Sequence, residues 1–296
     1  MNAEQNAKKI ELSTGIELHY IRQGSGSKVI LIHGAMGDYR SWAPQWDCFT
    51  EQFDTISYSR RYSYPNHNEL TSFDHNALVD AQDLVGLMDK LEIDKAILVG
   101  SSYGGFTALA MAVHHPQRVS AIVSVEAPMM RYAYFNKETA PIADEFLQSI
   151  ALPAKFAFEQ GDDEKGVQLL TGGIVGKDAS AIPEYIMKRR MLNSRAAKSL
   201  ALSRDEFPLL DRDALASCSI PMLLMSGKNT ASIHKAIFQN VVASIPHAQT
   251  KIVDGSGHSV SQQRADIFNV EVMRFINTIS ESQKQAKIAP DTIPRD

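Results

Sequence analysis

The segment Gly100-Ser101-Ser102-Tyr103-Gly104 joins the apolar run 96–99 directly to an Ala-rich stretch of helical character, 106–113. A strand that passes into a helix through so tight a turn must pack closely against it, which leaves no room for a Cβ at positions 100 and 104. In this setting the pattern Gly-x-Ser-x-Gly predicts a strand, a strained turn and a helix that hold the Ser102 hydroxyl clear of the backbone. Ser101 stands off the centre of the pattern and is the weaker candidate.

Elsewhere short apolar runs alternate with amphipathic stretches, the sequence form of a parallel sheet covered by helices on both faces. Residues 8–12 and 16–21, joined by Ser13-Thr14-Gly15, predict an opening hairpin. Further strands are predicted over 29–32, 55–58, 96–99, 119–125, 221–225 and 250–253. Asp74 is the expected cap of a helix whose Leu78, Ala81, Leu84, Val85, Met88 and Leu91 recur at three- and four-residue spacing. Pro116 should stop the helix that follows the serine near His114 and His115.

Between about 129 and 217 the alternation breaks, and helices are predicted over 138–151, 162–174, 183–202 and 209–217. A helical block between two late strands predicts a lid over the carboxyl ends of the strands, where open α/β sheets bind ligands. The expected division is a core of residues 1–128 and 218–280, a lid of 129–217, and a loose polar tail of 281–296 that holds Pro290 and Pro294. Met129, Met130, Tyr132, Tyr134 and Phe135 at the start of the lid are read as packing rather than as pocket wall. Trp42 is read as packing or pocket wall.

Composition narrows the chemistry. A chain of 296 residues, 44% hydrophobic, can bury one large core. A net charge of −4 gives no basic footprint, so no nucleic-acid partner is expected. No apolar run approaches the roughly 20 residues that cross a bilayer, and the N-terminus lacks the apolar core of a secretory signal. Cys48 and Cys218 make neither a disulfide framework nor a structural zinc site. A cytoplasmic protein without a membrane span or bound metal is expected, acting on a small molecule. Its oligomeric state is left open.

A serine becomes a nucleophile only beside a base that takes its proton and a group that orients that base. Of nine histidines, His258 in Asp254-Gly255-Ser256-Gly257-His258-Ser259 follows the last predicted strand and precedes a final helix over 262–276. His19, His67, His75, His234 and His247 lie in no such setting. Attack on a carbonyl also requires donors for the oxyanion. The backbone N–H of Tyr103 comes with the turn, and the loop His33-Gly34-Ala35-Met36-Gly37 offers the N–H of Ala35 as the second. His33 is expected to orient that loop rather than to react.

Taken in order, His33-Gly34, the 100–104 turn, the helical insertion and Gly255-Ser256-Gly257-His258 resemble the α/β-hydrolase superfamily over almost the whole chain. The resemblance implies a mostly parallel eight-stranded sheet flanked by helices, a helical lid between two late strands, and catalysis by a serine, an acid and a histidine without a cofactor. Members usually carry the acid in a form like Gly-x-x-Asp after the strand that follows the lid. Here that stretch reads Gly227-Lys228-Asn229-Thr230, with threonine in place of the carboxylate. Glu126 instead ends the strand after the serine helix. This resembles the arrangement in some haloalkane dehalogenases and in zearalenone-type lactonases, whose acid lies after this earlier strand. Neighbouring parallel strands end at one edge about 5 Å apart, so a carboxylate at either end can reach the same imidazole. Glu126 is the expected acid, against a loop cap or a partner for Arg131, with Asp254 and Asp211 as reserves.

A serine at the turn argues against the dehalogenase and epoxide hydrolase chemistries of the superfamily, which use an aspartate nucleophile. The expected activity is cleavage of a carboxylic ester or lactone with an apolar portion, through an acyl-enzyme on Ser102. Two alternatives stay open: a receptor-like module that binds a small molecule, and a lyase or cofactor-independent oxygenase using His258 as base. The cluster Arg60, Arg61, Tyr62 and Tyr64 is read as a hinge or solvated loop rather than as a site for a substrate carboxylate.

Overall fold

Successive residues of each inner strand are apolar and face opposite ways, which requires covering layers on both sides of the sheet. Ile30 and Ile32 face one core while Val29 and Leu31 face the other, and Leu98 opposes Ile97 and Val99 in the same manner. The computed structural model describes residues 7–288. In chain order it comprises β1 (Lys8–Glu11), β2 (Glu17–Gln23), β3 (Lys28–Ile32), α1 (Ala43–Thr50), β4 (Asp54–Tyr58), α2 (Ala77–Lys90), β5 (Ala96–Ser101), α3 (Tyr103–His114) and β6 (Val119–Val125). The insertion follows with α4 (Ala140–Phe146), α5 (Leu152–Glu159), α6 (Asp163–Val175), α7 (Glu184–Met191), α8 (Ser194–Ala201) and α9 (Arg212–Ser217). The chain returns through β7 (Met222–Gly227), α10 (Ser232–Ser244), β8 (Gln249–Val253), α11 (Val260–Gln263) and α12 (Ala265–Ile288).

All eight strands form one sheet in the order β1-β2-β4-β3-β5-β6-β7-β8. Only β2 runs against its neighbours, so the sheet is mostly parallel as expected. The layer containing α2, α3 and α10 covers one face, and α1 with α12 covers the other. No strand occurs between β6 and β7 among the described residues. No helix there is long and apolar enough to cross a membrane.

Several local expectations are corrected. Asn76, not Asp74, caps α2 by accepting from Leu78 N and Val79 N. Asp74 pairs with Arg204 instead. The helix predicted over 138–151 narrows to α4 and a π turn, Leu147–Ala151, which runs straight into α5. The helix predicted over 183–202 is two, α7 and α8, because buried Asn193 between them donates to Asp38 and accepts from Tyr64 N. The final helix divides at Arg264, whose guanidinium donates to the Asp254 carbonyl. It then continues to Ile288, so residues 281–288 of the expected tail are helical, as their Gln, Lys and Ala content favours. Residues 289–296, with Pro290 and Pro294, lie outside the described residues.

The turn at 100–104 depends on missing side chains. A Cβ on Gly104 would stand 2.1 Å from the Ile32 carbonyl oxygen, and one on Gly100 would stand 2.2 Å from that of Gly104. Both obstacles are backbone, which cannot swing away. Gly104→Ala should therefore lower stability by about 1–3 kcal/mol or more, read from urea melts. Gly86→Ala, where the nearest atom is the flexible end of Leu12 at 3.3 Å, should be tolerated. Equal stability of the two variants would contradict the close strand–helix contact.

Candidate active site

Ser102 stands between β5 and α3 at φ 54° and ψ −121°, a backbone region that costs on the order of 1–3 kcal/mol for a residue with a side chain. Its N–H donates to the Val125 carbonyl at 2.7 Å, and its own carbonyl accepts from Phe106 N at 3.1 Å. The strained turn is thus fixed on both sides. Tyr103 is the first residue of α3, where backbone N–H groups have no partner within the helix and attract negative charge.

The loop after β3 lies directly against this serine: a Cβ on Gly34 would sit 3.7 Å from Ser102 Oγ. His33 is fully buried beneath the loop. Its Nε2 accepts from Arg60 N at 3.0 Å, so Nδ1 carries the proton and donates to the Gly34 carbonyl at 2.8 Å. Burial and the nearby Arg60 charge push its pKa down to about 3. A neutral ring with both nitrogens engaged orients the loop, as expected from its place in the sequence.

Arg60 and Arg61 correct the reading of a hinge or solvated loop. Arg60 is buried, ion-paired with buried Asp80, and its Nη2 donates to the carbonyls of Gly34 and Ala35, each at 3.3 Å. Its guanidinium carbon also lies 5.0 Å from the centre of the Tyr103 ring. Arg61 is held by Asp83. A trans peptide sets its N–H opposite its C=O, so drawing the Gly34 carbonyl toward Arg60 turns the Ala35 N–H the other way. Trp42 is buried against Phe268 and packs. Met129, Met130 and Tyr132 are core residues, whereas Tyr134 and Phe135 are exposed.

His258 lies on the loop between β8 and α11. The loop is tied down by the Asn229 N–H donating to Ser256 O, the Ser256 hydroxyl donating to Val253 O, and Gly257 N–H donating to Gln263 Oε1. From it the His258 ring reaches across the strand ends, and its Nδ1–H donates to Glu126 Oε2 at 2.6 Å. That tautomer leaves Nε2 as the acceptor, the form a general base requires.

Glu126 follows β6 in a left-handed conformation, φ 45°, with its N–H on the Met225 carbonyl. Its carboxylate is buried and accepts three further hydrogen bonds: from the Ser226 hydroxyl at 2.7 Å, Gly227 N–H at 2.8 Å and the Thr230 hydroxyl at 2.9 Å. Burial alone raises its pKa, but the His258 hydrogen bond and charge, with His234 and Ser226 adding to them, bring it down to about 2. Thr230, where the resemblance implies a carboxylate, is therefore a donor to the Glu126 carboxylate. A second carboxylate there would face Glu126 across the same gap. The other candidates go elsewhere: Arg131 pairs with Asp205, Asp211 caps α9, and Asp254 pairs with Lys228 at the surface.

His234, set aside in the sequence, joins this group. Its ring stacks on that of His258 with centroids 3.9 Å apart and planes 21° from parallel. The only sequence signal is its place four residues after Thr230, in the first turn of the following helix. Glu126, His234 and His258 offer ligand atoms within 4.8 Å of one another. Near-parallel imidazoles do not converge their in-plane lone pairs on one ion, and His258 Nδ1–H is already given to Glu126, so this set does not fit a metal.

A cleft of about 1750 Å³ opens between α4, α6, α7 and the start of α10, with Ile142, Phe146, Leu169, Met187 and Ile233 among its apolar walls. Neither Ser102 nor His258 forms part of it. Its lining includes residues 231–233, immediately before His234.

A family model described as the alpha/beta hydrolase fold matches residues 28–264. Among curated proteins the chain is similar to a 2-hydroxy-6-oxononadienedioate/2-hydroxy-6-oxononatrienedioate hydrolase of Burkholderia vietnamiensis, 23% identical over 279 residues, covering 90% of this chain and 93% of that protein. It is likewise similar to carboxylesterase YbfK of Bacillus subtilis, 25% identical over 266 residues, covering 87% of this chain and 83% of that protein. Among solved structures, an N-acyl homoserine lactone degrading enzyme aligns with a TM-score of 0.71 at 21% identity, over 90% of this chain and 99% of that one.

Proposed function

Because this chain belongs to the α/β-hydrolase family, we propose that it cleaves a carboxylic ester or lactone with an apolar portion through an acyl-enzyme on Ser102. The observation that carries this reading is the 2.6 Å bond from His258 Nδ1–H to buried Glu126, in a chain whose Ser102 stands in a strained strand-to-helix turn. In this reading His258 Nε2 takes the Ser102 proton, the hydroxyl oxygen attacks the carbonyl, and the N–H groups of Ala35 and Tyr103 hold the oxyanion. Collapse expels the alcohol oxygen, which His258 protonates. Water, activated by the same imidazole, then releases the acid. Glu126 stays ionised and holds the tautomer.

Two kinds of support bear on the substrate. The names of two relatives carry a carboxylic ester and an acyl lactone, and both hold the acyl–oxygen bond that this chemistry breaks. The helices of 129–217 act as a lid, and Ile142, Phe146, Leu169, Met187 and Ile233 give the cleft apolar wall for an aliphatic or aromatic group, among charged residues such as Lys165, Glu184 and Arg189. A panel of p-nitrophenyl acetate, butyrate and octanoate with an aliphatic lactone tests the proposal. Turnover that is saturable and abolished by a serine-directed inhibitor is expected. Binding of these compounds without turnover would favour the receptor-like alternative.

The pH dependence has a defined sign. Imidazolium cannot accept the Ser102 proton, so kcat/KM should fall toward acid pH. Glu126, held down at about 2, stays ionised well below neutral pH and adds no second limb there. The expected acidic limb of log kcat/KM has a slope of one. A kcat/KM that does not fall in acid, on protein that stays folded, would contradict His258 as the base.

A further inference from the structure

We infer that His234 is a positioning residue for His258: its ring sets the plane of the catalytic imidazole and is itself anchored to the end of helix α6. The inference rests on the triad reading above. A single hydrogen bond at Nδ1 fixes the direction of the His258 ring toward Glu126 but leaves it free to rock about that axis. Catalytic groups need to be held within about 0.5 Å and 10–20°. The His234 ring, stacked at 3.9 Å and 21° from parallel, closes off that motion on one face.

His234 is in turn fixed from the insertion. Its Nε2–H donates to the Ile174 carbonyl at 3.0 Å. Ile174 lies in the last turn of α6, where carbonyls have no partner within the helix, so the bond satisfies a group that otherwise lacks one. Beyond it, Gly176 ends α6 against Ala231: a Cβ on this glycine would stand 3.1 Å from that of Ala231. The end of α6 and the start of α10 are thus joined, and both border the large cleft. The position of α6 is thereby transmitted through one side chain to the base.

Charge favours the same role. The ionisable groups facing His234 are His258 and Glu126, and burial with the neighbouring His258 pushes its pKa down to about 3. It stays neutral when His258 takes up the serine proton, and a neutral π face attracts an imidazolium where a second cation would repel it. With Nε2 donating, Nδ1 is a buried acceptor without a partner. An unsatisfied polar atom is retained where an apolar aromatic ring of the same shape would pack, and that substitution supplies the test.

His234→Phe keeps the stacked face without the bond to Ile174, whereas His234→Gln keeps a donor without the face. Hydrolysis of p-nitrophenyl butyrate is measured for the full chain, with thermal midpoints recorded for each variant. His234→Gln and His234→Ala should lose kcat by about 10- to 100-fold with KM within about threefold, and His234→Phe should recover most of the loss. A merely structural residue would not separate kcat from KM, nor Phe from Gln. Gln as active as Phe, or all variants as active as wild type, overturns the inference while leaving the triad in place. Wild type that forms no adduct with a fluorophosphonate removes the triad reading, and the inference falls with it.

Discussion

Ser102→Ala should lower kcat for ester hydrolysis by on the order of 10⁴ to 10⁶, because members of a nucleophile–base–acid set act as a unit. The substitution is clean in structural terms. Alanine keeps the Cβ, so the strain at φ 54° is unchanged, and the backbone bonds to Val125 and from Phe106 do not involve the hydroxyl. The variant should melt within a few degrees of wild type, so the lost rate reads the chemistry and not the fold. Whatever activity persists would come from the oxyanion donors and from binding, which the substitution leaves in place. His258→Ala should fall in the same range. A loss below tenfold for Ser102→Ala, measured on protein free of wild-type carry-over, would remove the acyl-enzyme.

Glu126→Gln should cost between about a hundredfold and 10⁴-fold in kcat. The size follows from the four donors that converge on the carboxylate: His258 Nδ1–H, the hydroxyls of Ser226 and Thr230, and Gly227 N–H. An amide has one oxygen and one NH₂, so at least one of these donors must meet another donor. If the NH₂ faces His258, the imidazole switches tautomer to accept from it, its proton moves to Nε2, and the base can no longer take the serine proton. Should the NH₂ face Ser226 and Gly227 instead, the Gly227 N–H cannot rotate away and is left unpaired, which costs about 1–3 kcal/mol of stability. Asp211→Asn and Asp254→Asn serve as controls and should stay within about twofold of wild type in rate, since both carboxylates are engaged away from His258. Equal rates for Glu126→Gln and wild type would move the acid elsewhere.

What the sequence made legible is what local pattern encodes. Apolar strands with residues facing both cores are continuous apolar runs, as at 29–32 and 96–99, and a turn that excludes Cβ atoms must carry Gly100 and Gly104. Glu126 could be singled out because a carboxylate closing an apolar strand requires a partner, and the empty position at Thr230 asked for one. What stayed hidden depends on contacts between distant residues. Arg60 looks like a surface cation until Asp80 and the Gly34 and Ala35 carbonyls are brought around it. The break between α7 and α8 follows from Asn193 meeting Asp38, 155 residues away in sequence. His234 carries no motif, and its stacking on His258 is created by the junction of α6 with α10. Asp74 and Asn76 are both good caps two residues apart, and only the observed backbone distinguishes them.

The most direct measurement is intact mass after exposure to a small fluorophosphonate, with wild type and Ser102→Ala side by side. The expected result is one adduct per wild-type chain, mapped to Ser102, and none on Ser102→Ala. An unmodified wild type, or an adduct that persists in the serine variant, would contradict Ser102 as the nucleophile.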